Sequence, residues 1–414
     1  MIIRIPGEVK YIIDMLEKNG YEAYAAGGCV RDSFLGKEPQ DWDICASALP
    51  EQTILCFENH DIIKTGLKHG TVTLMLDNRA FEITTYRADG KYKDNRRPET
   101  VKFVNVLKRD LARRDFTVNA MAYNPKTGLI DYYGGQNDLA ERKIKCVGNA
   151  DKRMREDALR IMRALRFASV FEFSIDGDTS AAMHNNKKLL RNISAERIAA
   201  ELNKMILGGG VNNILSKHIK IIAEIIPELT PANNFIKNYN IETAPKDLII
   251  RLVLLFHDIA ECPEISSDIS ANILTRLKYD NDTVKTVAQL VLYHGSEIKC
   301  SKHIKRLLNK IGEERLRQLI EVKRAVATAQ TVEIRQEKIN NLIEISAFLD
   351  EIIEQQQCYS LKDLAVNGRD LLKTGIAEGV QIGIILNKLV DMVIDEKIIN
   401  DKSVLLEMAK ELKL

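Results

Sequence analysis

Cysteine pairs are missing from the 414-residue sequence. Its seven cysteines form no CxxC pair and follow no regular spacing, which argues against a zinc ribbon or a disulfide framework and fits a reducing cytoplasm. Long apolar runs are also missing, since the longest, at 248–256, has nine residues and contains an arginine. Such a run predicts a buried helix rather than a membrane span. The N-terminus lacks the apolar segment of a secretory signal.

The sequence also has little net charge and few strand signals beyond its first third. Its 60 basic and 58 acidic side chains leave a formal charge of +2, so only local clusters can indicate a nucleic-acid partner. Residues 1–140 have a mixed α/β pattern, with a hairpin predicted at 70–86 around Asp77-Asn78. Later segments carry helical apolar spacing. We therefore predict a small α/β head followed by a long helical region.

Two aspartates one residue apart follow a glycine turn in the stretch AAGGCVRDSFLGKEPQDWDIC, residues 25–45. On a strand, Asp41 and Asp43 would share one face, about 6.5 Å apart, with Trp42 on the other. Converging carboxylates repel each other unless a cation lies between them, and Mg²⁺ prefers carboxylates combined with phosphate oxygens. The glycines allow backbone N–H groups to approach a phosphate. The pattern indicates nucleotidyl or phosphoryl transfer, with Glu82 as either a third carboxylate or a half-exposed strand residue.

Positions 91–114 are rich in basic residues, with nine Lys or Arg against three Asp or Glu. So many basic side chains in one segment could bind the phosphates of a nucleoside triphosphate or of an RNA backbone. The turn-prone segment ADGKYKDNRRPE predicts a loop, and we expect residues 112–124 to form an otherwise apolar helix. On it, Asp115 could accept a hydrogen bond from a ribose while Arg113 and Arg114 bind phosphates. An interhelix salt bridge is the alternative.

Four segments resemble, in order and spacing, the class II tRNA nucleotidyltransferases and bacterial poly(A) polymerases. They are GGCVRDSFLG…DWDIC, EITTYRADGKYKDNRRP, DLARRDFTVNAMAYNP and REDALRIMRALRFA. The stretch ISAERIAAELNKMIL and the tail LAVNGRDLLKTGIAEGVQIGIIL are also similar to the bacterial CCA-adding members. The resemblance covers nearly the whole chain. It implies a nucleotidyltransferase head (1–140), a neck with a nucleotide-selecting helix (141–207), a helical body (208–325) and a helical, tRNA-binding tail (326–414).

The resemblance also implies roles for individual residues. Catalysis and Mg²⁺ binding fall on Asp41 and Asp43, and we add Glu82 as the third catalytic carboxylate. The implied nucleotide-binding residues are Gly27, Gly28, Arg31, Asp32, Arg113, Arg114, Asp115, Asn119, Glu156, Asp157, Arg160, Arg163 and Arg166. The implied flexible-loop residues are Arg87, Asp94, Arg96 and Arg97.

Asp157 and Arg160 offer a physical reason for base selection. At positions i and i+3 of a predicted helix they lie on one face, where an acceptor and a planar donor can pair with the Watson–Crick edge of a base. One such pair would accept cytosine or adenine and leave buried polar groups unpaired with G or U. The alternative is an ordinary ion pair on one helix. Because this motif occurs together with the other motifs of the family, we favour base selection.

The implied reaction is Mg²⁺-dependent addition of C, C and A to the 3′ end of tRNA from CTP and ATP, with release of pyrophosphate. A basic stretch at 299–324 predicts a tRNA-backbone stripe or a solvated helix face. Its candidate RNA-binding residues are Lys302, Lys305, Arg306 and Lys310. A-only addition and poly(A) synthesis use the same motifs and stay open, whereas the full-length loop argues against CC-only addition. A non-catalytic RNA-binding protein is disfavoured by the intact aspartates.

His257-Asp258 resembles the start of an HD metal phosphohydrolase motif. No histidine lies between 219 and 256, and the later acidic residues repeat no motif. We therefore expect further ligands to be missing and the pair to be a relic or to have a packing role, with a working hydrolase as the alternative.

Overall fold

The computed structural model describes residues 3–90, 92–93, 97–98, 101–229, 241–373, 375 and 378–412. Two compact units form within the chain, Met1–Pro231 and Ala232–Leu414. The described part of the first unit combines sheet and helix, and that of the second is helical. The predicted fold class is confirmed: an α/β head is followed by helices.

A seven-stranded mixed sheet organises the first part of the first unit. The described strands are β1 (Ala23–Ala26), β2 (Ile44–Ala46), β3 (Ile62–Ile63), β4 (Thr71–Leu76), β5 (Arg79–Thr85), β6 (Arg87–Asp89), β7 (Tyr92–Lys93), β8 (Arg97–Pro98), β9 (Val101–Phe103), β10 (Met121–Asn124), β11 (Gly128–Asp131), β12 (Lys143–Ile144) and β13 (Ser174–Ile175). The sheet order is β11-β10-β1-β2-β5-β4-β3. Its neighbours are antiparallel except β2 and β5, which run parallel.

The predicted hairpin is confirmed, with β4 and β5 joined at Asp77 and Asn78. Both turn residues have positive φ, 49° and 61°, the backbone that a two-residue hairpin turn needs and that Asp and Asn tolerate. Along β5, Phe81 and Ile83 are buried while Glu82 is exposed. Because side chains alternate between the two faces of a strand, Glu82 lies on the open face of the sheet.

Helices surround this sheet and continue beyond it. Those of the first unit are α1 (Gly7–Lys18), α2 (Gly28–Phe34), α3 (Pro50–Cys56), α4 (Leu107–Ala112), α5 (Gly135–Ala140), α6 (Ala150–Glu156), α7 (Leu159–Phe171), α8 (Gly177–Asn186), α9 (Ala195–Ile206) and α10 (Val211–Ile222). The prediction of one helix over 112–124 is wrong. Helix α4 ends at Ala112, a short 3₁₀ turn covers Thr117–Asn119, and β10 follows. Here sheet pairing outweighs local helical spacing, because β10 pairs with both β1 and β11.

The second unit is built from α11 (Leu248–Phe256), α12 (Pro263–Arg276), α13 (Asn281–Tyr293), α14 (Ser301–Thr328), α15 (Val332–Glu354), α16 (Gly368–Lys373), α17 (Val380–Ile394) and α18 (Lys402–Glu411). A glycine breaks α14 into two segments, since Gly312 has φ +80°. The arginine in the longest apolar run, Arg251, is buried and donates hydrogen bonds to the carbonyl oxygens of Ala244 and Pro245. Across the described residues, no helix is long and apolar enough to cross a membrane.

Helices α7 and α9 pack closely where a glycine follows α9. Ser169 of α7 donates from Oγ to the carbonyl of Met205 at 2.6 Å and accepts at its own carbonyl from Gly210 N–H at 2.9 Å. A Cβ at Gly208 would lie 2.2 Å from Ser169 Oγ and 2.6 Å from its carbonyl carbon. Only glycine fits this crossing.

We expect Gly208→Ala to destabilise the first unit by about 1–3 kcal/mol, because the added methyl must push backbone apart. Thermal and urea unfolding measure the loss. The matched control is Gly177→Ala at the start of α8, where a Cβ would meet nothing within 4 Å, and it should be neutral or slightly stabilising. Equal effects of the two substitutions would contradict the crowding argument.

Candidate active site

Three carboxylates meet where β2 and β5 run side by side. The register pairs Ile44 with Ile83, so Asp43 and Glu82, each one residue earlier, are neighbours on the same face. Strand β2 begins at Ile44, shorter than the strand predicted to include Asp41. The alternation nevertheless holds, since Trp42 is buried and both aspartates are exposed.

Asp41, Asp43 and Glu82 interact electrostatically. Surrounding protein raises the pKa of Asp43, Arg114 opposes that rise, and repulsion from Asp41 adds to it. Partial burial raises the pKa of Glu82, and repulsion from Asp43 and then Asp41 raises it further. A cation between them would relieve this repulsion. Oxygen-only donors on an open face fit a hard ion such as Mg²⁺.

The glycine turn before α2 leaves room for an arginine. Gly27 has φ +89°, and a Cβ there would lie 2.4 Å from the Arg114 guanidinium. Gly27 N–H donates to the carbonyl of Met121 at 3.0 Å, which fastens the turn to β10. Arg114 therefore fits beside this turn, where its charge acts on Asp43.

A chain of hydrogen bonds between buried and half-buried side chains leads from α2 to α7. Arg31 donates to Asp32 with two nitrogens, each at 2.9 Å, and to Asn119 Oδ1 at 2.5 Å. Asn119 donates to Asp115 Oδ1 at 3.0 Å, and Arg163 Nε donates to Asp115 Oδ2 at 2.8 Å. All of these residues were predicted to bind nucleotide, and the structure joins them in one network.

Asp115 is the acceptor at the centre of that network. Burial alone would raise its pKa, but Arg163, Asn119 and the Phe116 N–H outweigh burial and lower the pKa to about 2. Asp115 is therefore ionised at neutral pH, and its oxygens are engaged by protein donors.

Asp110 is a residue that the sequence reasoning missed. It is fully buried on α4, and its Oδ1 accepts from Arg113 Nε at 3.0 Å, Arg113 Nη2 at 2.8 Å and Arg87 N–H at 3.2 Å. Arg114 lies 3.7 Å from its other oxygen. The spacing of i, i+3 and i+4 in DLARR could have indicated this role.

Arg160 is buried where α6 meets α7. It donates to Glu156 Oε2 at 2.9 Å and to the carbonyls of Arg153 and Arg113, each at 3.0 Å. The prediction that Asp157 and Arg160 share one helix is wrong, because α6 ends at Glu156 and α7 begins at Leu159. Asp157 has extended backbone, φ −137° and ψ 103°. Both side chains still line one cavity.

That cavity has a volume of about 550 Å³. Its lining residues are Gly28, Arg31, Asp43, Ile44, Thr71, Glu82, Thr84, Arg87, Arg113, Arg114, Asp115, Asn119, Asp157, Arg160, Arg163 and Phe167. Other candidate residues support the lining: Asp32 holds Arg31, and Glu156 holds Arg160. Arg166 instead pairs with Glu201 at 2.9 Å. A cavity lined by both carboxylates and arginines can hold a metal-bound triphosphate.

The predicted loop residues are described only in part. Arg87 donates to the carbonyl of His69 at 2.5 Å. Asp94 and Arg96 lie outside the described residues, and Arg97 is described only as backbone of β8.

The predicted RNA-binding residues lie on α14 in the second unit. Lys302 donates to the carbonyl of Asp395 at 3.0 Å and pairs with Glu396 at 3.1 Å. Arg306 pairs with the Asp395 carboxylate, and Lys310 lies 5.5 Å from the centre of the Tyr293 ring. Lys305 is half-buried on the same helix. Acidic neighbours therefore neutralise part of the positive charge of the basic stretch on α14.

The expectation that His257-Asp258 lacks a third ligand is wrong. His294 lies beside the pair, and one ligand atom from each of the three residues falls within 4.8 Å of the others. No sequence motif indicated His294, because 35 residues, including helices α12 and α13, separate it from Asp258.

Comparisons with known proteins cover almost the whole chain. The family described as Poly A polymerase head domain matches residues 23–145. The probable RNA- and SrmB-binding site of polymerase A matches residues 172–232, and a putative tRNA nucleotidyltransferase domain 2 matches residues 255–409.

Individual relatives agree with these matches. A CCA-adding enzyme of Ligilactobacillus salivarius is 35% identical over 100% of this chain and 98% of its own length. One of Geobacillus thermodenitrificans is 49% identical over 48% of each chain. The crystal structure of the Bacillus stearothermophilus CCA-adding enzyme in complex with CTP is 30% identical, covers 98% of this chain and 96% of its own, and superposes with a TM-score of 0.76.

We predict that Asp43→Asn raises the melting temperature of the metal-free protein. Because the folded-state pKa of Asp43 is raised, its carboxylate destabilises the fold at neutral pH. Added Mg²⁺ should raise the melting temperature of the wild type and have a smaller effect on the variant. Asp61→Asn removes the same charge from an exposed position beside β3 and is the control. A lower melting temperature for Asp43→Asn alone would contradict the prediction.

Proposed function

The chain belongs to the family of CCA-adding enzymes, and we propose that it adds C, C and A in turn to the 3′ end of tRNA from CTP and ATP, releasing pyrophosphate. One observation carries the proposal. The cavity of about 550 Å³ combines Asp43 and Glu82 with Arg160 and Asp157, so groups suited to bond formation and to base selection border one space. We also propose that the chain is divided into the head, neck, body and tail that the family resemblance implies.

Enzymes of this family use a divalent metal, and we propose Mg²⁺ at Asp41 and Asp43, with Glu82 as the third carboxylate. When bound there, Mg²⁺ supplies Lewis-acid activation of the primer hydroxyl and neutralises phosphate charge. Burial is the main cause of the raised pKa values of Asp43 and Glu82, and repulsion between the carboxylates adds to it. That repulsive part supports this assignment, because a cation would relieve it.

The arginines of the cavity bind the triphosphate. Arg113 is held by Asp110, and Arg31 is held by Asp32 and Asn119. Guanidinium groups fixed in this way bind phosphate oxygens without first being ordered. Asp115 is occupied by Arg163 and Asn119, so it positions these two residues towards the nucleotide.

Arg160 and Asp157 select the base. Glu156 and two backbone carbonyls hold the Arg160 guanidinium in one orientation, and Asp157 Oδ1 accepts from Leu159 N–H at 3.1 Å. A fixed donor beside a fixed acceptor suits the edges of cytosine and adenine and leaves polar groups unpaired with G or U.

The tRNA is the macromolecular partner in this proposal, and the basic residues of α14 are its candidate contacts. A cytoplasmic location is proposed with it. All seven cysteines are free thiols, as a reducing compartment requires.

The decisive assay supplies tRNA ending at its discriminator base together with labelled CTP and ATP. We expect three added nucleotides, C, C and A. Absence of C incorporation would refute the proposal, and long A tails would identify a poly(A) polymerase.

Asp41→Ala should reduce addition by about a thousandfold or more, since metal activation contributes several kcal/mol, and should spare tRNA binding. Asp61→Ala is the control, and unreduced addition by Asp41→Ala would remove Asp41 from the metal site.

Arg160→Ala should relax nucleotide selection. Charge-assisted hydrogen bonds contribute about 1.5–3 kcal/mol, so discrimination against UTP and GTP should fall by about ten- to a hundredfold. Arg155→Ala removes an exposed arginine from α6 that pairs with Asp151 and is the matched control. The measurement is the ratio of kcat/KM for CTP to that for UTP, alongside primer affinity. Unchanged ratios in Arg160→Ala would contradict the assignment.

A further inference from the structure

An aromatic side chain of α7 contacts arginines that border the cavity. Phe167 is buried, 7% exposed, and lines the cavity together with Arg31 and Arg163. The guanidinium carbon lies 5.2 Å from the centre of the Phe167 ring in Arg31, 5.4 Å in Arg163 and 4.0 Å in Arg166. A cation within about 6 Å of a ring centre is attracted by the negative charge of the π face. One ring therefore contacts guanidinium groups of both α2 and α7.

Two other aromatic rings hold the ring of Phe167 in place. Phe116 packs edge to face against it, with 5.8 Å between ring centres and 84° between planes. Phe171, one turn further along α7, stacks on it at 5.7 Å and 8°. Phe116 is fully buried and follows Asp115, the carboxylate that holds Arg163. The orientation of the Phe167 face is thus fixed by packing.

Phe171 adds contacts of the same kind. Its ring centre lies 4.8 Å from the guanidinium carbon of Arg31 and 5.0 Å from Lys37 Nζ. Arg31 also donates hydrogen bonds to Asp32 and Asn119. Hydrogen bonds therefore fix the nitrogen atoms of this guanidinium, and the stacked rings contact its central carbon.

The arginines around Phe167 repel one another. Burial lowers the pKa of Arg166, Glu201 opposes that effect, and repulsion from Arg163 and Arg31 adds to the lowering. Cations held this close need a neighbouring source of negative charge. The face of a phenyl ring supplies it without a net charge, so it does not repel a phosphate as a further carboxylate would.

We propose that Phe167 is a positioning residue for the triphosphate, whose ring face holds Arg31 and Arg163 at the cavity and so strengthens the binding of CTP, ATP and pyrophosphate. This role rests on the proposed function, because it requires that the cavity bind a nucleoside triphosphate. Phe167 acts through the arginines, which bind the phosphate oxygens.

The test replaces Phe167 in the full chain with mono-, di- and trifluorinated phenylalanine. Fluorine withdraws electron density from the ring face and alters its shape little, so attraction for a cation weakens while packing is kept. Calorimetry with Mg²⁺ should show the dissociation constants of pyrophosphate and CTP rising with each added fluorine, by about three- to tenfold for the trifluorinated ring. The KM for CTP should rise more than kcat falls, and the affinity for tRNA should stay unchanged.

A second variant, Phe167→Leu, keeps an apolar side chain and removes the π face altogether. We expect it to weaken pyrophosphate binding at least as much as the trifluorinated ring does. Retention of wild-type pyrophosphate affinity by a folded Phe167→Leu protein would contradict the assigned role.

The control is the same fluorinated series at Phe57, a buried ring of the first unit that contacts Tyr11 and His60. Among the described residues Phe57 is not part of the cavity lining, so its variants should bind pyrophosphate and CTP as the wild type does. Equal losses in the two series, or an affinity that does not change with fluorine number at Phe167, would overturn this role alone if C, C and A are still added. Absence of pyrophosphate and CTP binding by the wild type would refute the proposed function as well.

Discussion

The ion pair between the buried Asp115 carboxylate and the half-buried Arg163 joins the sheet-bearing part of the first unit to α7. Hydrogen bonds extend it from Asp115 through Asn119 to Arg31 of α2. A lone buried carboxylate would be costly, so the fold depends on all these donors being in place. The same ion pair holds α7 at the cavity that Asp43 and Glu82 also line.

Charge in the cavity is balanced locally rather than across the chain. Asp41, Asp43 and Glu82 repel one another on one side, and Arg114 beside Asp43 offsets part of that repulsion. Asp110, wholly buried, orients Arg113 and lies near Arg114. Because their pKa values are raised, the carboxylates of Asp43 and Glu82 reduce the stability of the fold at neutral pH. Functional sites commonly carry such a cost in stability.

Two kinds of cation ligand occur in the two units. The head offers carboxylate oxygens on neighbouring strands, a set that suits a hard ion and phosphate oxygens. The cluster of His257, Asp258 and His294 at the ends of α11 and α13 offers two imidazoles with one carboxylate, a set that suits a late transition metal. The difference lies in the ligand atoms, so one divalent ion need not serve both.

Short-range patterns were enough to predict part of this protein. The alternation around Trp42, the turn at Asp77-Asn78 and the helical character of the second unit follow from side-chain period and backbone preference, which act over a few residues. The ordered motifs also predicted most of the residues that line the cavity. Their assigned roles remain predictions.

Other features were decided only by tertiary structure. Strand β10 replaced a predicted helix because it gained two strand partners. A break between α6 and α7 separated Asp157 from Arg160, since Arg160 is held by Glu156 and by carbonyls of Arg153 and Arg113. His294 meets Asp258 through the packing of α11 on α13. Contacts between residues far apart in the chain leave no local pattern, so only the folded structure determines them.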